Sequence, residues 1–179
     1  MAADDPDRRR FLKVATCALG GGVGLAAAVP VLRLVVDPAR KQTVTSPKEP
    51  FDLGPADAFR IGEAPRRIEI IAPIIKDGWV AARDVILGAA WVRRTGAKPG
   101  ELDVRSAVCP HLGCAVAFDT AKNNYLCPCH DSRFGIDGKK LSGPSLRGLD
   151  QLPIQIGRDG HLLLTWERYK LDTAAKERA

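Results

Sequence analysis

The sequence predicts an all-β domain of antiparallel sheets that is held to a membrane by one N-terminal helix. Two observations support this prediction: an apolar run near the N-terminus that could cross a bilayer, and a series of short strand-like runs from Phe51 onward. At 179 residues, the chain has room for one ordinary domain with a further segment attached. Its 45% hydrophobic and 27% charged residues are typical of a globular protein.

The first 36 residues form a separate unit that contains the predicted membrane anchor. Nineteen apolar residues, "VATCALGGGVGLAAAVPVL" from Val14 to Leu32, would span roughly 28 Å as a helix, close to the thickness of bilayer hydrocarbon. The preceding "DRRRFLKVA" resembles a twin-arginine export signal. We therefore expect a cytoplasmic twin-arginine segment at residues 1–13 and a transmembrane anchor at residues 14–36.

An ordinary signal peptide or a buried helix would also explain this apolar segment, and "AAA" at residues 26–28 offers a cleavage site. Apolar residues nevertheless continue to Val36, interrupted by Arg33, whose long side chain can reach the membrane surface. An uncleaved anchor is therefore favoured. It predicts a single-pass protein of a bacterial cytoplasmic (inner) membrane, in contact with lipid, with its head on the periplasmic or outer side. Cys17 is interpreted as a helix-packing residue.

Twin-arginine export has a consequence for function, because it carries proteins that are already folded. A metal cluster built in the cytoplasm can cross the membrane only inside a finished fold. The signal therefore indicates a cofactor that is inserted before export.

The predicted linker covers residues 37–50, where "DPARKQTVTSPKEP" holds three prolines and several charges but little to bury. The predicted head domain covers residues 51–179. Strand-like runs include "RRIEIIAPII", "GAAWVRR", "ELDVRSAV", "CAVAFD", "NNYLC", "LPIQI" and "HLLLTWERY". Gly157 to Gly160 predict a tight turn between the last two runs, and "LGPADAF" predicts a short turn of helix. The closing "LDTAAKERA" is expected to be helical or frayed.

The charge of the chain does not indicate nucleic-acid binding. The formal net charge is +6, and the densest basic run, Arg8 to Arg10, is better explained by membrane topology. Aromatic and basic residues do not alternate anywhere in the sequence, so a nucleic-acid partner is excluded from the prediction.

Two short segments, "VCPHLGCAV" and "LCPCHDSRFG", contain four of the five cysteines and two of the three histidines. Each segment offers one Cys and one His close together, with a further cysteine. One interpretation is a tetrahedral zinc site with two Cys and two His ligands. The other is a two-iron cluster with thiolates on one iron and imidazoles on the other. Pro110 and Pro128 each follow a candidate ligand cysteine and stiffen the loops. The spacing favours the iron cluster and leaves zinc open.

"CPHLGC" with "CPCHDS" resembles the paired motif of the Rieske iron–sulfur proteins. "GPS" at residues 143–145 stands where that family has a Gly-Pro loop over its cluster. With its anchor and linker, the chain is similar to the Rieske subunits of the quinol–cytochrome c oxidoreductases, the cytochrome bc complexes. The resemblance implies an all-β Rieske-type head in which residues 105–147 form a small cluster-binding subdomain.

The resemblance also implies the roles of individual residues around one 2Fe-2S cluster. Cys109 and Cys127 would bind the buried iron, and His111 and His130 the exposed iron. Cys114 and Cys129 would form a disulfide, which the export compartment can sustain. The remaining contacts to the cluster would come from Leu112, Ser132, Gly143 and Pro144, with Ser132 donating to a bridging sulfide.

The function that the resemblance implies is electron transfer within a quinol-oxidising enzyme. His130, with His111 beside it, would be catalytic and take a proton from quinol while the electron passes to a c-type haem. The implied partners are a cytochrome b-type subunit and a c-type haem subunit in a dimeric complex. Phe134 stands where high-potential relatives carry a tyrosine. The missing hydroxyl predicts a lower potential, which would suit menaquinol.

Three other functions fit part of the pattern. A small Rieske subunit of arsenite oxidase resembles this chain in cluster motif and export signal, although "LRGLDQLPIQIGRDGHLLLTW" favours the quinol-oxidising family. A soluble Rieske ferredoxin of an oxygenase would need neither the anchor nor the additional cysteines. A structural zinc-binding module of an envelope assembly would use the same four ligands. The third histidine, His161, is expected at the surface or at a strand edge.

Overall fold

The computed structural model describes residues 6–40, 50–76, 79–98 and 101–179. It divides into two compact units, one of residues 1–45 with 75–82 and the other of residues 46–74 with 83–179. In the first unit, helix α1 runs from Pro6 to Val36 without a buried residue. Its length and composition allow it to cross a membrane. A core helix of a soluble protein would be mostly buried, so this exposure disfavours the buried-helix alternative.

Proline begins α1, where its missing N–H costs no helical hydrogen bond, so the arginine run lies within the first turns of the helix. Asp37–Arg40 form a turn of 3-10 helix. Residues 41–49, most of the predicted linker, lie outside the described residues.

Within the described residues, ten strands form three sheets. The strands are β1 Phe51–Pro55, β2 Arg66–Lys76, β3 Ala81–Arg94, β4 Leu102–Ser106, β5 Ala117–Asp119, β6 Asn124–Cys127, β7 Ser132–Gly135, β8 Lys140–Ser142, β9 Ile154–Ile156 and β10 His161–Leu164. Their orders are β1-β10-β9, β2-β3-β4 and β5-β6-β7-β8. Pairing is antiparallel between β1 and β10, β10 and β9, β3 and β4, and along the whole third sheet. The predicted all-β head with antiparallel sheets is confirmed.

Strand β3 contributes to two hydrophobic cores because successive side chains in a strand point to opposite faces. Ala90 and Val92 belong to a first core with residues of β2, β4 and β10. Ala89 and Trp91 belong to a second core with residues of the third sheet and of its loops. Trp91 donates its ring N–H to the carbonyl of Val116 at 3.1 Å. Strand β3 thereby packs the third sheet against the rest of the head.

Two predicted turns are confirmed. Ala56–Ala58 form a 3-10 turn within "LGPADAF". Gly160 donates its N–H to the carbonyl of Gly157 at 3.0 Å in the turn between β9 and β10.

The prediction for the C-terminal residues was wrong. Residues 168–179, here called the C-terminal tail, fold back as an irregular hairpin in which Tyr169 and Arg178 form a β-bridge. Lys170 donates its N–H to the carbonyl of Glu177, and Ala179 donates to that of Arg168, both at 2.9 Å. These hydrogen bonds across the hairpin satisfy the backbone groups of the tail that form them, without a helix.

Candidate metal centre

The first cysteine loop, residues 107–116, connects β4 and β5. It is closed at its base by a hydrogen bond from the N–H of Val116 to the carbonyl of Ala107 at 2.8 Å. Nearer the tip, the N–H of Cys109 donates to the carbonyl of Cys114 at 2.8 Å, and the N–H of Gly113 donates to Cys109 at 3.0 Å. Gly113 has a φ of 81°, which favours glycine. This closed turn brings His111 and Leu112 to the tip of the loop.

The second cysteine loop, residues 127–132, is the turn of the hairpin between β6 and β7. Cys127 and Ser132 are opposite each other in the ladder at its base. Asp131 has a φ of 53°, a left-handed conformation that aspartate tolerates in turns. The turn carries Cys129 and His130 outward from the sheet.

A disulfide joins Cys114 of the first loop to Cys129 of the second. Both sulfurs and that of Cys127 lie within 4.8 Å of one another. The sulfurs of Cys114 and Cys129 are bonded to each other, so neither is a thiolate that could bind a metal. The three sulfurs are therefore close because the disulfide lies beside Cys127, and they do not form a metal site of their own. The cysteines left as thiols are Cys109, Cys127 and Cys17.

Cys109 and Cys127 form a buried pair of thiols, with 0% and 2% of their surface exposed. Burial raises the pKa of the Cys109 thiol to about 11, and the neighbouring Cys127 thiol also raises it. The backbone N–H groups of His111 and Leu112, which donate toward the Cys109 sulfur, act in the opposite direction. Burial makes an isolated thiolate unfavourable, whereas the amides directed at the sulfur stabilise negative charge on it. This combination suits a thiolate whose charge is neutralised by a bound metal.

The rings of His111 and His130 lie together on the outer side of the two loops. Their centroids are 5.0 Å apart and the rings are inclined by 82°. His111 is partly buried and His130 is exposed, in contrast to the two thiols. The structure thus places the four predicted ligands on the two facing loops, with sulfur inside and nitrogen outside.

The Gly-Pro loop, residues 143–148, packs against the second cysteine loop. Gly143 has a φ of 90°, and a Cβ atom there would lie 2.4 Å from the Cα of Ser132. The N–H of Ser145 donates to the hydroxyl oxygen of Ser132 at 3.2 Å, and both serines are fully buried. The Ser132 hydroxyl accepts this hydrogen bond through a lone pair, and a hydroxyl also carries one proton that it can donate.

The other predicted contacts differ in exposure. Leu112 is 55% exposed, and Pro144 is also exposed, so both present apolar surface near the histidines and the Gly-Pro loop. Phe134 is fully buried in the second core with Cys109 and Cys127. A phenylalanine there supplies no donor to either thiol.

Arg147 and Asp150 were not predicted as part of the site. Their side chains are 8% and 7% exposed and form an ion pair at 2.8 Å. Arg147 also binds the C-terminal tail through the carbonyl oxygens of Thr173 and Lys170, at 2.7 and 2.8 Å. In "LRGLD", Arg147 and Asp150 are opposite charges three residues apart, and this spacing could have indicated the ion pair. No local sequence pattern indicates that Arg147 contacts the C-terminal tail.

The donor set of these loops fits a [2Fe–2S] cluster of the Rieske type. Two buried thiols and two outer imidazoles are the ligands that such a cluster uses. The amides directed at Cys109 supply hydrogen bonds to sulfur, which are typical of iron–sulfur sites.

The third histidine, His161, lies outside this site. Its Nδ1 is 2.8 Å from an oxygen of Asp52, where β10 pairs with β1.

Comparison with known proteins agrees with this centre. The family description "Rieske [2Fe-2S] domain" matches residues 77–153. The menaquinol:cytochrome c reductase iron–sulfur subunit of Geobacillus thermodenitrificans is 31% identical over 161 residues, which cover 88% of this chain and 89% of that protein. The cytochrome b6-f complex iron–sulfur subunit of Prochlorococcus marinus strain AS9601 is 28% identical over 169 residues, or 89% and 85% of the two chains. A solved chain of a hyperthermophilic respiratory complex III aligns over 85% of this chain and 99% of its own length, with 20% identity and a TM-score of 0.41.

The domain match includes both cysteine loops and the Gly-Pro loop. The similarity to the Geobacillus protein extends well beyond them, over nearly the whole chain. The chain therefore belongs to the Rieske iron–sulfur protein family, whose domain holds a [2Fe–2S] cluster.

Proposed function

We propose that this chain is the electron-transfer subunit of a membrane quinol:cytochrome c reductase, and so part of an oxidoreductase complex. The observation that supports the proposal most strongly is the opposite exposure of the donor pairs, with buried thiols and outer imidazoles. With the thiols buried, a substrate or an electron-transfer partner would approach a redox group held in this way from the side of its histidines. The Geobacillus and Prochlorococcus relatives, whose names place them in a menaquinol:cytochrome c reductase and in a cytochrome b6-f complex, support the same role.

In this proposal, Cys109 and Cys127 hold the inner side of the cluster and His111 and His130 the outer side. When bound, such a cluster exchanges single electrons at roughly −150 to +300 mV, a range that lies above that of plant-type clusters with four thiolates. The amides of His111 and Leu112 stabilise negative charge on the Cys109 sulfur. Ser132, held by Ser145, has a proton to donate into the same site.

His130 is proposed as the residue that contacts the quinol, with His111 beside it. An imidazole that binds iron through one nitrogen keeps its second nitrogen for a proton or a hydrogen bond. Because His130 is exposed, a quinol hydroxyl can reach that nitrogen and transfer its proton there. Leu112 follows His111 and is exposed, so it offers an apolar surface that the quinol ring can contact.

The membrane arrangement follows from α1. We propose that this helix is an uncleaved anchor in a bacterial cytoplasmic membrane, with the arginines on the cytoplasmic side and the head on the periplasmic or outer side. The three arginines at one end of an apolar helix support this direction. Export by the twin-arginine route, with the cluster already in place, and a linker at residues 37–50 belong to the same proposal.

The proposed partners are a cytochrome b-type subunit, a c-type haem subunit as electron acceptor, membrane lipid and quinol, in a dimeric complex. Menaquinol is the favoured quinol for two reasons. Phe134 lies fully buried in the same core as both ligand thiols and has no hydroxyl to raise the potential. The name of the Geobacillus relative also specifies menaquinol.

Electron paramagnetic resonance of the reduced, membrane-bound protein tests this function. We expect a Rieske-type signal that shifts when an inhibitor of the quinol site is added, and b- and c-type haem in the complex purified through this chain. A Rieske-type signal that no quinol-site inhibitor changes, together with a molybdenum-containing partner, would contradict quinol oxidation and favour the arsenite oxidase alternative.

A further inference from the structure

The C-terminal tail contacts the first cysteine loop at two points. The backbone N–H of Asp172 donates to the carbonyl oxygen of Pro110 at 2.9 Å. A methyl group of Leu171 lies 3.1 Å from the position that a Cβ atom of Gly113 would occupy. The tail therefore touches the loop between the candidate ligands Cys109 and His111, and again beyond them.

The Pro110 carbonyl belongs to the same peptide group as the N–H of His111. A peptide group is planar and trans, so its C=O and N–H point in opposite directions and turn together. On one side Asp172 donates to the oxygen, and on the other side the N–H of His111 faces the Cys109 sulfur. A carbonyl that accepts a hydrogen bond also polarises its peptide and strengthens the N–H as a donor.

Arg147 holds the tail in this position. Its guanidinium donates to the carbonyl and hydroxyl oxygens of Thr173 at 2.7 and 2.9 Å and to the carbonyl of Lys170 at 2.8 Å. The same group forms two hydrogen bonds with the carboxylate of Asp150, at 2.9 and 2.8 Å. A nearly buried guanidinium with this many fixed acceptors is a rigid connector.

Arg147 also connects the tail to the Gly-Pro loop. Its own carbonyl accepts a hydrogen bond from the Ser145 hydroxyl at 2.8 Å, and Ser145 in turn donates its N–H to Ser132. The tail, the Gly-Pro loop and the second cysteine loop therefore form one hydrogen-bonded chain.

We propose that the C-terminal tail is a positioning element of the metal centre, in which the N–H of Asp172 orients the Pro110–His111 peptide toward the Cys109 sulfur and Arg147 fixes the tail. The inference rests on the proposed assignment of Cys109 as a cluster ligand. Hydrogen bonds to a ligand sulfur stabilise the more negative, reduced cluster. Releasing the tail is therefore expected to lower the reduction potential without removing a ligand.

The test compares two substitutions at one position in the full-length, membrane-bound protein. Asp172→Pro removes the N–H and requires a φ near −65°, whereas Asp172 has a φ of 50°. Asp172→Gly keeps the N–H and suits this φ, so it is the matched control. Redox titration gives the midpoint potential, and hydrogen exchange measured by mass spectrometry gives the mobility of the first cysteine loop.

We expect Asp172→Pro to lower the midpoint potential and to speed exchange in the first cysteine loop by roughly five- to tenfold, the loss of about one net hydrogen bond. Asp172→Gly should leave both quantities at the wild-type level. Faster exchange in Asp172→Pro with a wild-type midpoint potential would overturn the proposal, because the tail would then be only structural. Equal shifts in both variants would overturn it as well, because the N–H would not be responsible.

Arg147→Lys is the second variant if Asp172→Pro does not fold. It keeps a positive charge beside Asp150 but loses the fork that reaches the tail. The same lowered midpoint and faster exchange are expected, and an unchanged midpoint with faster exchange would reject the inference. Failure of the proposed function is recognised separately, because the wild-type protein would then lack a Rieske signal or any response to a quinol-site inhibitor.

Discussion

Gly143 lies against Ser132 so closely that a Cβ atom on the glycine would be 2.4 Å from the serine Cα. It would also lie 2.9 Å from the carbonyl oxygen of Asp131. These are backbone atoms, which cannot rotate away as a flexible side chain can. The contact brings the Gly-Pro loop directly onto the loop that carries His130.

We predict that Gly143→Ala separates the two loops. An alanine in a left-handed conformation costs about 1 kcal/mol, and the clash with backbone atoms adds to this cost. We expect the free energy of unfolding to fall by roughly 2–4 kcal/mol in total. Gly54→Ala is the matched control, since Gly54 has a φ of 91° with nothing within 4 Å of its Cβ position. Chemical denaturation and visible absorbance measure stability and cluster retention. Equal losses in both variants would show that the contact with Ser132 is not important.

The ligand assignment predicts different outcomes for different cysteines. Cys109→Ser is expected to lose iron and acid-labile sulfide almost completely, because a buried ligand thiolate is removed. Cys17→Ser, in the exposed surface of α1, should retain both. Metal and sulfide analysis of the purified proteins makes the comparison. Zinc without sulfide in the wild-type protein, or full iron content in Cys109→Ser, would contradict the assignment.

Phe134→Tyr is expected to raise the midpoint potential. Phe134 is fully buried in the same core as Cys109 and Cys127, so a hydroxyl there has a ligand sulfur as a possible acceptor. If such a hydrogen bond is stronger by about 1 kcal/mol in the reduced state, a one-electron potential rises by roughly 40 mV. Phe118→Tyr, which adds a hydroxyl at the edge of the core, is the control and should leave the midpoint unchanged. A redox titration in which Phe134→Tyr gives the wild-type value would remove the reason for expecting a low potential.

The pair of His161 and Asp52 predicts a pH effect away from the metal centre. The hydrogen bond to Asp52 raises the pKa of His161 above its usual 6.5. The N–H of Gly54, followed by His161, lowers the pKa of Asp52 below 3.8. The histidine's contribution is fully present below pH 6.5 and is lost as the pH rises through its folded pKa. The aspartate's contribution is present above pH 3.8 and is lost as the pH falls through its folded pKa.

This pair should therefore stabilise the head most between pH 3.8 and 6.5. An NMR titration of the His161 ring should show its pKa above 6.5 in the wild-type protein and closer to 6.5 in Asp52→Asn. Asp57→Asn, which removes the charge with the smallest effect on His161, should lower the pKa of His161 less. If the pKa of His161 does not change in Asp52→Asn, the hydrogen bond is absent in solution.

The metal centre was largely predictable because its candidate ligands lie within two short segments, in each of which they are only a few residues apart in sequence. A hairpin turn carries Cys127 to Ser132, and one closed loop carries Cys109 to Cys114, so sequence neighbours stay neighbours in space. Strands β1, β7 and β8 are not among the predicted strand-like runs, because runs as short as "FDLGP" and "SRFG" show too few positions for alternation. The closing residues 171–179, which were expected to be helical or frayed, were misassigned for a different reason. Their partners, Arg147 and Pro110, are distant in sequence, and tertiary contacts decided the conformation.

The central claim is that a single cluster is held by sulfur on its inner side and by two imidazole nitrogens on its outer side. Pulsed electron paramagnetic resonance of the reduced protein, grown with ¹⁵N-labelled histidine, tests it most directly. Two inequivalent histidine nitrogens should couple to the unpaired spin, and these couplings should be missing from protein whose histidine is unlabelled. A reduced cluster with no ¹⁵N coupling, or purified protein with no such cluster, would contradict the assignment of His111 and His130.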